Sequence, residues 1–416
     1  CLPRLVMQRV LMGTSRHLLL LWARPCHVCY EYSESRRLRS PQNHVHVKLC
    51  GVALYHDIVI IDACQLNNPA FKMVRARRQS FPRFLIMSCR PIANVDMPDP
   101  WVYSWNGIFY LTFTLGDRIE IWASNNIEDF NQPQKSLVWK PDGSGWAPGI
   151  WAPELHNING VWYIYFSGEK PGQGPASHRT LILRSQSQDP MDPSGWQFVG
   201  PLQGVPDHWA IDATVFFIRN NLYCCYSGWP VGDNSDTEQD LFLVQLASPE
   251  QAMPETLVTI SKPTYKWERP DGGKRGINEG PSYVEFNNVR GIVYSAHGSW
   301  TCDYKLGLLL LTGENPLDPK SWTKRDSPLL SSDRSKGGPY GPGHASFVPT
   351  NDGRVMCMFH CTFNVDDGWD NRKARVMCLD AKDFSPSASC CCCATGETPG
   401  DRPGGFLGKI INAIKK

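Results

Sequence analysis

Between residues 90 and 384, short apolar-rich runs alternate with polar turn chemistry, and no stretch needs the 3.6-residue period of a long helix. The runs come in pairs. The first members are "NGIFYLTFT" from Asn106, "NGVWYIYFSG" from Asn159, "NNLYCCYSGWP" from Asn220, "RGIVYSAHGSW" from Arg290 and "NDGRVMCMFH" from Asn351. Each opens on Asn-Gly or an equivalent, a hairpin signal between β-rich runs. The second members, such as "RTLILRSQSQDPMDPSGW" and "YKLGLLLLTGENPLDPKSW", end in Pro-rich turns, and "SGW" and "KSW" mark similar exits. Ahead of each pair stands a polar-rimmed segment holding one carboxylate or histidine: Asp99, Glu154, Asp212, Glu279 and His344, spaced 55, 58, 67 and 65 residues apart. Strand-built repeats of this size predict an all-β fold, a five-bladed β-propeller. A propeller brings the first strand of every blade to one axis, so the five anchors are expected to meet in one pocket.

The flanks lack the repeat. Residues 1–88 predict an irregular N-terminal extension. Their apolar run at residues 18–22 is short for the core of a secretion signal and has basic residues on both sides, so it makes no convincing signal peptide. Residues 56–63 suggest one buried strand. Cys26 and Cys29, with His27, His44 and His46 nearby, lack the two well-spaced ligand pairs of a compact zinc module, and the spacing is taken as accidental. Residues 385–416 predict a low-complexity linker and a short basic amphipathic segment. In it Phe406, Leu407, Ile410, Ile411 and Ile414 lie at helical spacing among Lys409, Lys415 and Lys416. A segment of about 12 residues is marginal as a helix alone in water. A docked or frayed tail is the expectation, with contact of residues 405–416 with a membrane surface as the weaker alternative. The expected layout is therefore 1–88, 89–384 and 385–416.

Composition narrows the function. The 416 residues carry a formal charge of +2, which gives no electrostatic case for a nucleic-acid partner. No apolar run approaches the ~20 residues of a spanning helix. The 15 tryptophans and 14 tyrosines suit strands and also make flat platforms for sugar rings. The 16 cysteines are scattered in a chain too long for a disulfide scaffold. The six between Cys224 and Cys378 read mostly as buried small apolar residues. Cys224 and Cys225, adjacent on a strand, should point to opposite faces.

The chemistry lies in the anchors. Asp99 sits in "DMPDPWVY", Asp212 in "HWAIDATVFF" and Glu279 in "GINEGPSYV". An Asp before Pro commonly starts a turn, but Asp212 and Glu279 lie in apolar stretches where an unpaired charge is costly. Three acids around one pocket suit glycoside hydrolysis: a base for water, a protonated acid for the leaving oxygen, and a third carboxylate that raises the acid's pKa. Inversion calls for about 6.5–9.5 Å between base and acid.

The segments "MPDPWV", "WAPELHNINGVWYIYFSG", "HWAIDATVF", "INEGPSYV" and "GPGHASF" resemble, in order and spacing, glycoside hydrolase family 43, the five-bladed enzymes of arabinan and xylan breakdown. The resemblance implies an inverting hydrolase of plant cell-wall polysaccharides that contain arabinose, foremost an α-L-arabinofuranosidase. The alternatives are a β-xylosidase or a carbohydrate-binding propeller without catalysis. It implies Asp99 as general base, Asp212 as pKa modulator and Glu279 as general acid, with Glu154 shaping the pocket. It also implies an oligosaccharide or polysaccharide as partner, an extracellular location and no required cofactor. His344 matches a histidine that in many members is linked through water to a calcium ion at the axis. Trp101 and Trp151 would border the sugar or serve as propeller core. Of Arg372 and Arg375, Arg375 is the one expected to reach the sugar. His208 and Trp209 should pack beside Asp212, and His156 and His297 read as hydrogen-bonded core residues. Neither flank matches the family pattern, which leaves the strand that closes the propeller unassigned.

Overall fold

The computed structural model describes residues 8–12, 16–20, 61–62, 90–141, 145–146, 149–334 and 337–386. The cysteine and histidine spacing at residues 26–46, the cysteine run at 390–393 and the basic segment 405–416 lie outside them. The chain divides into two units, Cys1–Pro82 and Arg83–Lys416. In the first, β1 (Gln8–Met12), β2 (Arg16–Leu20) and β3 (Ile61–Asp62) form an antiparallel sheet.

The second unit is built from five antiparallel blades, the third and fourth joined by a short parallel pairing of Glu238 and Gln239 with Gly276 and Ile277. Blade one is β4 (Trp101–Trp105), β5 (Ile108–Thr112), β6 (Ile119–Ser124) and β7 (Gln134–Trp139). Blade two is β8 (Trp151–Ile158), β9 (Val161–Gly168), β10 (Arg179–Ser185) and β11 (Trp196–Pro201). Blade three is β12 (Ala210–Ile218), β13 (Asn221–Gly228) and β14 (Glu238–Ser248), with β15 (Gln251–Ala252) and β16 (Val258–Ser261) on the outer edge of β14. Blade four is β17 (Gly276–Phe286), β18 (Val289–Ala296), β19 (Lys305–Leu311) and β20 (Trp322–Lys324). Blade five is β21 (Tyr340–Pro349), β22 (Val355–Thr362) and β23 (Lys373–Leu379). The described residues contain no α-helix. The turns read from Asn106 and Asn159 carry the left-handed torsions that two-residue hairpins require, and in blade four those torsions fall at Asn287 and Asn288, ahead of the Arg290 read from the sequence.

Among the described residues the buried apolar side chains fall into six clusters, five of them one for each blade interface. Leu155 and Trp162 pack against Ile119 and Ile121 between blades one and two, and Tyr165 packs with Val215 and Cys224 between two and three. Cys225 joins Ile292 and Tyr294 between three and four, and Val284 and Val293 meet Phe359 and Met377 between four and five. Met358 and Val376 of blade five meet Val102 and Leu111 of blade one, so the ring closes. Cys224 and Cys225 thus serve two different interfaces, as alternation along a strand requires. All six described cysteines are free, and four are buried.

Blade five closes with chain from before the first blade. The amides of Ile92 and Met97 donate to the carbonyls of Ala374 (3.0 Å) and Arg372 (2.7 Å), along the open edge of β23. Ile92, Ala93 and Met97 bury into the interface of blades one and five, and Lys373 pairs with Asp96 at 2.7 Å. The edge that the sequence left unassigned is covered by residues 92–97.

Candidate active site

One residue near the head of each blade's first strand has left-handed torsions: Asp99 (φ 55°), Ala152 (φ 45°), Asp212 (φ 57°), Gly280 (φ 51°) and His344 (φ 48°). For a non-glycine residue this conformation costs roughly 1–3 kcal/mol and persists only where its surroundings enforce it. In blades two to five the strand register shifts at this point, the mark of a bulge that re-aims side chains. At each of the five positions the preceding blade accepts the backbone amide. Asp99 donates to His360 Nδ1 (2.9 Å), Ala152 to Thr114 Oγ1 (2.7 Å), Asp212 to Ser167 Oγ (3.1 Å) and His344 to Ser295 Oγ (2.7 Å). The Gly280 amide donates instead to Asp212 Oδ2 at 3.0 Å. The five anchors are therefore not equivalent. Asp99, Asp212 and His344 occupy the left-handed position itself, whereas Glu154 follows Ala152 and Glu279 precedes Gly280.

The ring gives the acids different environments. Asp99 keeps 23% of its side chain exposed, and its Oδ1 lies 3.1 Å from His344 Nδ1. Its Oδ2 accepts from Thr114 Oγ1 at 2.6 Å. Burial pushes its carboxyl up, but the charge and hydrogen bond of His344, with His360 and Thr114, outweigh it and hold the group well below the carboxylate range. His344 is the counterpart. Burial disfavours its charge, but Asp99, Asp212 and Glu154 outweigh that and push the imidazole up to about 10.

Asp212 and Glu279 are buried. Burial, reinforced by Asp99, pushes Asp212 up to about 6. Burial, reinforced by the charges of Asp212 and Asp99, pushes Glu279 up to about 8. Asp212 reaches Glu279 through the next residue, since its carboxylate holds the Gly280 amide. Glu154 is buried deeper, and burial raises it well above the ordinary range. It sits 3.0 Å from His156 Nε2, and burial keeps that imidazole neutral. Near neutral pH the pocket thus holds the Asp99 carboxylate paired with the His344 imidazolium and, beside them, a protonated Glu279 facing the charge of Asp212.

The aromatic and basic residues divide. Trp101 donates its indole N–H to the carbonyl of Leu155 (2.8 Å) and packs on His156 with ring centroids 4.8 Å apart, between blades one and two. No described contact brings it to the acids. Trp151 stacks on His178 (3.7 Å, 18°) and packs with Trp209, Ile211 and Trp229, beside the strand that carries Asp212. His178 clamps this wall. Its ring nitrogens lie 2.8 Å from the Gly149 carbonyl and 2.7 Å from that of Pro175, which also accepts from Trp209 Nε1 at 3.1 Å. His208 contacts the carbonyls of Pro230 and Asp233, and His297 contacts Thr301.

Arg375 is fully buried on β23 with its guanidinium 4.4 Å above the Phe363 ring. Arg372 joins the acids' network instead: its Nη1 lies 2.7 Å from His360 Nε2, on the ring that receives the Asp99 amide. Arg372 stands just ahead of β23 and Arg375 within it, and in extended chain residues three apart face opposite ways. Among the described residues no three His, Cys, Asp or Glu side chains converge as a metal-ligand group. His344, charged and turned to Asp99, does not fit direct coordination.

Sequence reasoning passed over Thr114, Ser167, Ser295, His360 and Tyr304. Tyr304 is buried, stacks on His360 (5.7 Å, 15°) and hydrogen-bonds Glu279. A Cβ on Gly343 would meet the Tyr304 ring, so that glycine is what lets the tyrosine in. For Ser167, Ser295 and His360 a signal was present: "YFSG", "CYSG", "VYSA" and "MFHC" place Ser167, Ser227, Ser295 and His360 near the same point of the second strand in blades two to five.

Known proteins resemble this chain in sequence and fold. The chain is 31% identical over 261 residues to an extracellular exo-α-(1→5)-L-arabinofuranosidase of Streptomyces chartreusis, covering 62% of this chain and 76% of that protein. It is 31% identical over 288 residues to α-L-arabinofuranosidase 43 of Humicola insolens, covering 67% of this chain and 58% of that one. The crystal structure of an α-L-arabinofuranosidase from Lactobacillus brevis superposes with a TM-score of 0.61 at 30% identity, covering 68% of this chain and 90% of that one. A thermostable family-43 glycoside hydrolase shares the fold at the same TM-score and 22% identity. Residues 88–386 match the profile of glycosyl hydrolases family 43, and the acid-lined propeller axis lies within them: this chain belongs to that family.

Proposed function

We propose that this glycoside hydrolase is an α-L-arabinofuranosidase that releases arabinose from plant cell-wall polysaccharides with inversion. The observation that carries the reading is the opposed protonation of two acids at one axis: His344 and Thr114 keep Asp99 ionised, while burial beside Asp212 keeps Glu279 protonated. Asp99, the more exposed of the two, takes a proton from water as the water attacks the anomeric carbon. Glu279 gives its proton to the departing glycosidic oxygen on the opposite side of the sugar. Asp212 keeps that proton on Glu279 until transfer, through like-charge repulsion and its hold on the Gly280 amide. Glu154 with His156 lines the pocket as a neutral pair, and Trp151 forms one wall.

The names of the relatives support arabinose as the released sugar, and the word "extracellular" in the name of the S. chartreusis protein supports action outside the cell. We place the hydrolase in residues 89–384. The calcium ion implied at the axis would have to be held through water, and no step above runs through it.

The test is release of p-nitrophenol from p-nitrophenyl α-L-arabinofuranoside against p-nitrophenyl β-D-xyloside. The arabinoside should be the better substrate. Asp99→Ala and Glu279→Ala should each lower kcat by roughly a hundredfold or more. Preference for the xyloside would make the protein a β-xylosidase. Sugar binding without turnover would make it a carbohydrate-binding propeller. Wild-type rates in both variants would overturn the mechanism.

A further inference from the structure

Three of the large apolar side chains exposed among the described residues crowd into one loop between β22 and β23: Phe363 (48% exposed), Val365 (44%) and Trp369 (68%). In a propeller blade, the loop from second to third strand lies at the same end as the head of the first strand. This loop therefore borders the pocket. Exposed apolar surface with a polar rim marks a ligand site.

We propose that Trp369 and Phe363 form a platform for a further sugar residue of the glycan, beyond the one being released. This rests on the glycoside hydrolase reading above and adds a chain-length preference to it.

The platform is braced before any ligand arrives. Trp369 Nε1 donates to Ser299 Oγ (3.2 Å), and its ring stands edge-on to Trp300 at 6.1 Å and 69°. Arg372 ties the two loops together, donating from Nη2 to the carbonyls of Ser299 and Gly368. The same guanidinium reaches His360, which receives the Asp99 amide. Asp367 accepts from the Asn364 amide (2.9 Å) and from the side chains of Asn364 and Asn371 (3.1 Å each), fixing the loop from within. The Arg375 guanidinium covers one face of Phe363. Binding to surfaces held in this way avoids most of the cost of ordering them.

The chemistry favours a neutral glycan. With its N–H engaged, Trp369 offers solvent an apolar face, the partner for the C–H face of a sugar ring. The exposed Asp366 and Asp370 stand beside it for hydroxyl groups. Three apolar side chains are far short of the ~800 Å² per partner of a standard protein interface. The aspartates of "NVDDGWDN" oppose an anionic membrane surface.

The experiment compares kcat/KM on linear arabino-oligosaccharides of three or more residues with kcat/KM on p-nitrophenyl α-L-arabinofuranoside. In Trp369→Ala the oligosaccharide value should fall roughly tenfold, chiefly through KM, and the aryl value by under about twofold. Trp369→Phe should restore most of the loss. An equal fall on both substrates, or none on either, overturns the proposal. Should the wild type leave the aryl arabinofuranoside intact, the activity reading fails by itself. The platform is then read by calorimetric affinity for the same oligosaccharides: weaker binding by Trp369→Ala supports it, and equal affinity or no binding by the wild type overturns it.

Discussion

At the scale of single residues, the site works by keeping chemically similar carboxyls in opposite protonation states; burial and the His344 charge set most of the difference, and small neighbours add to it. Thr114 has two tasks, donating to Asp99 Oδ2 and accepting the Ala152 amide. Thr114→Val preserves shape and removes both. The Asp99 carboxyl should rise, so the acidic limb of the kcat/KM profile should move to higher pH while the basic limb, set by Glu279, stays in place. A profile whose two limbs move together would contradict this. Glu279 gives a test of opposite kind. Its folded value of about 8 lies above the ordinary carboxyl value. The stability it contributes is complete below its unfolded value of about 4.3 and is lost as pH rises to the folded value. Glutamine does not titrate. The melting temperature of Glu279→Gln relative to wild type should therefore climb between about pH 4 and 8 and level off above.

At the scale of elements, the blades are joined by a repeated joint: a side chain late in each second strand holds the backbone of the next blade's first strand. Ser167, Ser295 and His360 each accept an amide from a left-handed residue, and Ser227 donates to the Asn278 carbonyl at 2.9 Å. Ser167→Ala leaves the buried Asp212 amide without its partner. The expected cost is about 1–3 kcal/mol in denaturant unfolding, with a drop in kcat because Asp212 loses its aim. An unchanged unfolding midpoint would show that the joint does not hold the bulge. The outer strands show a second repeat. In "DPSGW" and "DPKSW" an Asp caps a 3₁₀ turn, and Trp196 and Trp322 donate to the carbonyls of Pro190 (3.0 Å) and Pro316 (2.8 Å). Like composition at the exits of blades two and four yields like structure because every contact in the motif is local.

At the scale of the whole molecule, the pocket exists only if the ring closes, since Asp99 belongs to blade one and the groups that hold it, His344 and His360, belong to blade five. Closure rests on residues 92–97 against β23 and on the apolar seam around Met97, which is fully buried. Met97→Ala should cost about 2–5 kcal/mol through the cavity it leaves. Activity on the aryl arabinoside should be lost at a lower temperature than in the wild type, in step with unfolding. Loss of activity in a variant that unfolds like the wild type would place Met97 in the site and not in the seam.

The five-bladed organisation and the acids at its axis were legible along the chain, because strand alternation, Asn-Gly turns and a recurrent polar anchor are local signals that repeat. Family resemblance then attached roles to Asp99, Asp212 and Glu279, and the structure gathers those three at one axis. It divides the others: His344 and Glu154 join the acids. Trp101 turns between the blades, and Arg372 in place of Arg375 reaches the acids' network. The hydroxyl joints were written in "YFSG", "CYSG" and "VYSA" but meant nothing until another blade lay against them. Local sequence determines which residues turn, which pair and which are buried. Which acid keeps its proton depends on how much water and how many charges other blades leave around it, a sum over groups hundreds of residues apart, and that only the closed ring decides.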